Sequence, residues 1–95
     1  PDVFWRAVRE AGAPGAAVLV MDLFRPESAT AAQAIVDQYA ANEPEVLRLD
    51  FLASLCAAFE PDEIRAQLQA HGLDGFSVRT VSDRHLLITG RLPPR

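Results

Sequence analysis

Ninety-five residues at 10.4 kDa hold one compact unit at most, because globular domains cluster at roughly 100–150 residues. A hydrophobic fraction of 49%, with 23% charged residues and mean hydropathy +0.06, is the composition of a chain that packs a core, which excludes a disordered or low-complexity segment. The net charge is −4, and the nine basic residues, all arginine, are scattered singly with no cluster to track phosphates, so direct binding of nucleic acid is not expected.

Asp2 is placed to cap a helix in which Val3, Phe4, Ala7, Val8 and Ala11 recur at helical spacing, and Gly12 offers a left-handed stop. After the breaker Ala13-Pro14-Gly15, the run from Ala16 to Met21 is apolar without alternation and ends at Asp22. Such a run reads as a parallel strand covered on both faces. From Ser28 a helix places Ala31, Ala32, Ile35, Val36 and Tyr39 on one side and ends near Ala41-Asn42. A second helix restarts at Pro44, with Val46, Leu49, Leu52, Cys56 and Phe59 along one face and Leu47, Phe51 and Leu55 widening it, so it is buried on two sides or touches a partner or ligand. Carboxylates in the turn Glu60-Pro61-Asp62-Glu63 open a third, whose inner face is marked by Ile64 and Leu68 and which closes at His71-Gly72.

The alternating stretch Phe76 to Val81 and the stretch His85 to Leu92, which carries Leu86, Leu87 and Ile88, are joined by the short turn Ser82-Asp83-Arg84 and form an antiparallel hairpin. Pro93-Pro94-Arg95 reads as a tail. The fold class is α/β, and its single parallel strand with one hairpin leaves a sheet from which strands are missing. The eleven uncharged residues from Ala11 to Met21 fall short of the roughly 20 a membrane-spanning helix needs, and no targeting segment opens the chain, which begins like the middle of a protein. One cysteine and two distant histidines supply neither a disulfide nor a zinc pattern, and the cytoplasm is the expected compartment.

Several strings occur in an order that resembles the second half of class I S-adenosylmethionine-dependent methyltransferases, a Rossmann-like family whose seven-stranded sheet has its last strand inserted antiparallel. The helix around Phe4-Trp5-Arg6-Ala7-Val8, followed by Pro14-Gly15-Ala16-Ala17-Val18-Leu19-Val20-Met21-Asp22, is similar to the turn into that family's fifth strand, although Ala16 stands where a second glycine is common. Phe59-Glu60-Pro61-Asp62-Glu63-Ile64 with Gly72-Leu73 resembles the helix into the sixth strand, and Asp83 to Arg91 resembles the sixth-to-seventh hairpin. The resemblance implies that residues 1–92 are the C-terminal portion of one methyltransferase domain, that residues 28–59 are a helical insert on the substrate side, and that 93–95 are a tail. It also implies S-adenosylmethionine as the parent's cofactor, with its glycine-rich loop outside this chain, since the five glycines never form G-x-G-x-x-G after a strand.

Ligands of open α/β sheets bind beyond the carboxyl ends of the strands. That edge receives Asp22 to Arg25 and, if the hairpin's first strand runs alongside, the turn Ser82 to His85. The substrate-side candidates are therefore Asp22, Arg25, Tyr39, Phe51 and Arg84, with His85 as a candidate general base. Each also has a plain structural role: Asp22 and Arg25 as strand-end partners, Tyr39 and Phe51 as core, Arg84 as a solvated loop residue, His85 as the opening of a strand. His71 suits a helix end and Cys56 reads as buried filler.

Two other readings stand beside this one. Asp22 and His85 occur in the order of an α/β-hydrolase acid and histidine, but no G-x-S-x-G is present. A non-catalytic module could dimerise through the apolar helix from Pro44 or through an exposed strand edge. The methyl acceptor belongs to the first reading alone, and no residue pattern names it.

Overall fold

In the computed structural model, which describes residues 2–94 apart from the Asp2 side chain, the elements are α1 (Asp2–Ala11), β1 (Ala17–Leu23), α2 (Ala29–Tyr39), α3 (Glu45–Ala57), α4 (Pro61–Ala70), β2 (Ser77–Thr80) and β3 (His85–Arg91). The Asp2 side chain expected as a cap and Arg95 of the tail lie outside the described residues. Capping explains several boundaries. Ser28 accepts the Ala31 amide at 3.0 Å to start α2, and Glu60 and Glu63 form a reciprocal capping box around Pro61 to start α4. Gly72, with φ +71°, ends α4 in the left-handed region.

The three strands form one sheet in the order β1-β3-β2, with β3 central and antiparallel to both neighbours. Leu19 pairs with Thr89 and Val78 with Ile88. The fold is thus a small α/β domain of four helices and a three-stranded antiparallel sheet among the described residues. Strand β1, expected as a parallel strand, makes its ladder with the antiparallel β3. Because β1 and β2 are both antiparallel to β3, they run in the same direction, and their carboxyl ends share one edge.

One face of this sheet holds the main core. Val78, Leu86 and Ile88 pack with Ile64 and Leu68 of α4, Trp5 of α1, and Leu73 and Leu92, while Val18 and Val20 lean on the same cluster. Side chains alternate across a strand, so Leu19 and Met21 fall on the other face, where they are 70% and 57% exposed. The expectation of a strand covered on both faces is therefore overturned: the run is apolar throughout, yet one of its faces is open.

Helix α1 also turns differently from the expected register. Val3 and Phe4 are exposed, and Trp5, 1% exposed, is the anchor, with its indole Nε1 donating to Gln67 Oε1 at 3.0 Å. Satisfying that N–H is what allows a whole tryptophan inside. Gly12 is not in the left-handed region; it is a close approach, since a Cβ there would run into Leu92.

A second core lies within the α2–α3 hairpin, made of Ala32, Ile35, Val36, Ala40 and Leu55, with Phe51, Leu52 and Leu23 against it. The inward face of α3 is the one bearing Phe51, Leu52 and Leu55, while Val46, Leu47 and Leu49 are exposed. Cys56, expected as buried filler, is exposed as well. Two cores side by side make an elongated molecule of 47 × 22 × 20 Å, with a radius of gyration of 15.4 Å, against about 12–13 Å for a compact chain of this length. No helix among the described residues is long and apolar enough to cross a membrane.

Candidate functional site

At the shared carboxyl edge of β1 and β2 lies an open cleft of about 920 Å³. Its floor and near side are Phe24, Arg25, Pro26 and Glu27, which follow β1. One wall is α2, presenting Ala31, Ala34, Ile35 and Gln38, and the other is the start of α4 with Glu60, Pro61, Asp62 and Arg65. Thr80 and Asp83 close the far side. The wall of α2 follows from helical spacing, because positions 31, 34 and 38 form a stripe beside the one that packs on α3, with the buried Ile35 at their border, and two alanines on it leave room. The insert 28–59 lines the cleft with its first helix.

Arg25 is the joint of this site. Its amide donates to Phe59 O at 3.0 Å, and its Nε donates to Ala58 O at 2.9 Å. Its Nη atoms meet Glu63 Oε1 at 3.2 Å and Glu60 Oε1 at 3.6 Å. A residue three positions before the insert therefore holds the residues that end it. The carbonyl of Ala58, the C-cap of α3, receives a cationic donor. Arg25 lines the cleft, but every donor contact recorded for it serves the scaffold.

The opposite rim is tied by a second cluster. Tyr39 Oη donates to Asp83 Oδ2 at 3.1 Å, Arg84 Nη1 donates to Asp83 Oδ1 at 2.9 Å, and the Arg84 guanidinium stacks 3.7 Å over the Tyr39 ring. The end of α2 is thereby fastened to the β2–β3 turn. The structure brings the candidates Tyr39 and Arg84 together through Asp83, which belongs to the cleft lining.

The remaining candidates are elsewhere. Asp22 lies within β1, and its Oδ1 accepts the Leu23 amide at 2.8 Å. Phe51 is half-buried in the hairpin core. His85 is held by its turn: Ser82 Oγ accepts the amides of Arg84 and His85 at 3.2 and 3.0 Å and stands 3.0 Å from His85 Nδ1. Ser82 Oγ thus ties the imidazole and two backbone amides of the turn together. Neither Asp22 nor His85 lines the cleft, and their side chains are each engaged with a different partner, so the acid–histidine pair a hydrolase needs is not formed.

Glu27, Gln38, Asp62, Arg65 and Asp83 line the site without having been singled out in the sequence. The i, i+3, i+7 spacing of Ala31, Ala34 and Gln38 was the signal that could have found the wall. Among the described residues no group of three or more His, Cys, Asp or Glu could hold a metal ion. The arrangement is suited to holding and orienting a ligand between an apolar wall and charged edges. Comparison of the chain with protein-family models, curated proteins and solved structures finds no match.

Proposed function

We propose that the chain is the C-terminal, acceptor-binding portion of a class I S-adenosylmethionine-dependent methyltransferase, and that the cleft between α2 and α4 receives the methyl acceptor. The observation that carries this reading is the strand order β1-β3-β2, in which the last strand lies antiparallel between two co-directional strands. That is the arrangement expected of the end of such a sheet, and the helical insert lines the cleft at the corresponding edge. The donor's glycine loop belongs to residues outside this chain, whose glycines form no phosphate-cradling motif.

When bound, S-adenosylmethionine supplies an activated methyl group, and the remaining requirement is in-line positioning. This chain's own residues meet that requirement without a side-chain base. Arg25 fixes the end of the insert beside β1, Tyr39 and Arg84 hold α2 to the β2–β3 turn, and Ala31 and Ala34 give one wall an apolar surface.

Titration of S-adenosylmethionine by calorimetry tests the reading. The chain alone is expected to give no micromolar binding, whereas a polypeptide extended by about 120 preceding residues of its reading frame, the rest of an ordinary domain, is expected to bind. Micromolar binding by the chain itself, or a reading frame whose extended product does not bind, overturns it.

A second reading, a non-catalytic module that dimerises, is favoured by Leu19 and Met21, exposed beside an edge of β1 that carries no ladder among the described residues.

A further inference from the structure

We propose that the cleft selects a small ligand with a cationic handle, an ammonium or guanidinium group, on an apolar body. This inference rests on the acceptor site assigned above.

The lining carries the carboxylates of Glu27, Glu60, Asp62 and Asp83 against the guanidiniums of Arg25 and Arg65. Both arginines are already engaged. Arg25 meets Glu60 and Glu63 and donates to Ala58 O. Arg65 pairs with Asp62 at 2.8 Å and donates through its other Nη to Val78 O at 2.9 Å. The N-terminus of α4 would otherwise attract an anion, but its capping box fills it with the carboxylates of Glu60 and Glu63. Arg84, the remaining cation near the rim, is bound to Asp83 and stacked on Tyr39.

Every positive feature of the site is thus neutralised from within, and an entering anion would meet a surplus of negative charge. A cation meets the reverse. Glu27 is exposed at the cleft, and its carboxylate has no hydrogen bond or ion pair among the described residues. Ala31 and Ala34, beside the buried Ile35, give the α2 wall an apolar surface open to a hydrocarbon or aromatic body. The volume of about 920 Å³ is within the range of small-molecule sites. The handle holds the molecule and is distinct from the atom that would react.

The test is a backbone-amide NMR titration of the chain with phenethylamine, phenethyl alcohol and phenylacetate, which differ mainly in charge at neutral pH. The expected result is saturable shifts at Glu27, Ala31, Ala34 and Ile35 with the amine, weaker ones with the alcohol and none there with the acid. Glu27→Gln is expected to weaken the amine about twofold to fivefold, the effect of one exposed charge pair, and to leave the alcohol unchanged. Because Glu27 is exposed, an unaltered spectrum of the free variant confirms its fold. Equal binding of acid and amine, indifference of the amine to Glu27→Gln, or the absence of cleft shifts with all three probes overturns the proposal. Neither arm uses S-adenosylmethionine, so loss of amine selectivity and failure of donor binding by the extended polypeptide are separately visible.

Discussion

Arg25 shows how a side chain can occupy a candidate position and serve a different purpose. A cation just beyond a strand at the ligand-binding edge reads as a substrate contact, yet its strongest bonds hold the backbone where the insert ends. Its side chain is 39% exposed, so the two ion pairs are screened and contribute little. The hydrogen bond from Nε to Ala58 O is the larger effect, because removing it leaves a partly buried helix-end carbonyl without its donor. Arg25→Ala is expected to lower stability by about 1–3 kcal/mol, read as a lower urea midpoint. Arg25→Lys is expected to recover only part of this, since an ammonium cannot reach a carbonyl and two carboxylates in one planar fork. Equal stability of Arg25→Ala and the parent chain would remove the joint from the account. Residue type and loop position were enough to mark Arg25, and also Tyr39 and Arg84. The partners of Tyr39 and Arg25 were not legible, because Asp83 and Ala58 are brought to them by folding across 44 and 33 positions.

The helices were legible as helices, and so were the inner faces of α2 and α4, where Ala32, Ile35, Val36, Ile64 and Leu68 are buried, but the facing of α1 and α3 was not. In α3 the residues Val46, Leu47, Leu49, Phe51, Leu52 and Leu55 surround much of the axis, so periodicity alone does not choose a stripe. The choice is made by α2, whose Ala32, Ile35 and Val36 present a surface of limited width to the side with Leu52 and Leu55. Position 48 lies one turn before that side and is also turned partly inward. Its Nε is buried without a hydrogen-bond partner among the described residues. An unsatisfied donor costs more than a well-made bond returns. Arg48→Met keeps the aliphatic stem and removes the orphaned N–H, so it is expected to stabilise the chain by about 0.5–1 kcal/mol, read as a higher urea midpoint at unchanged helicity. A lower midpoint would overturn the reading of Arg48 Nε as an orphaned donor. The strand β1 posed the same ambiguity in another form: an unbroken apolar run implies two covered faces, and only the alternation imposed by β3 reveals which face is open.

Leu23 and Phe24 join the two cores, the first leaning into the helical hairpin and the second into the sheet, so the end of β1 is where the elongated molecule is held together. The outer edge of the same strand carries no ladder among the described residues. Leu92 donates its amide to Ala16 O and Phe24 donates to Arg84 O, which places the inward bonds of β1 at even positions. By ladder alternation, the amides and carbonyls of Ala17, Leu19, Met21 and Leu23 turn outward. The Leu23 amide is already taken by Asp22 Oδ1, and Gly15, with φ +79°, ends the extended backbone on the other side. The free edge is therefore limited to residues 17–21. Two copies pairing antiparallel over that window meet in one register, Leu19 against Leu19 and Ala17 against Met21, with no charge inside it. Such a sheet joins two open apolar faces bearing Leu19 and Met21, and strand edges left in this condition recruit a partner strand. The chain is accordingly expected to sediment as a dimer at micromolar concentration, and Leu19→Lys, which puts two ammonium groups directly opposite each other, is expected to return it to a monomer with an unchanged circular dichroism spectrum. A parent chain that remains monomeric over that range would count against the dimerising module and, equally, against a sheet whose edge at β1 awaits the strand of a larger domain.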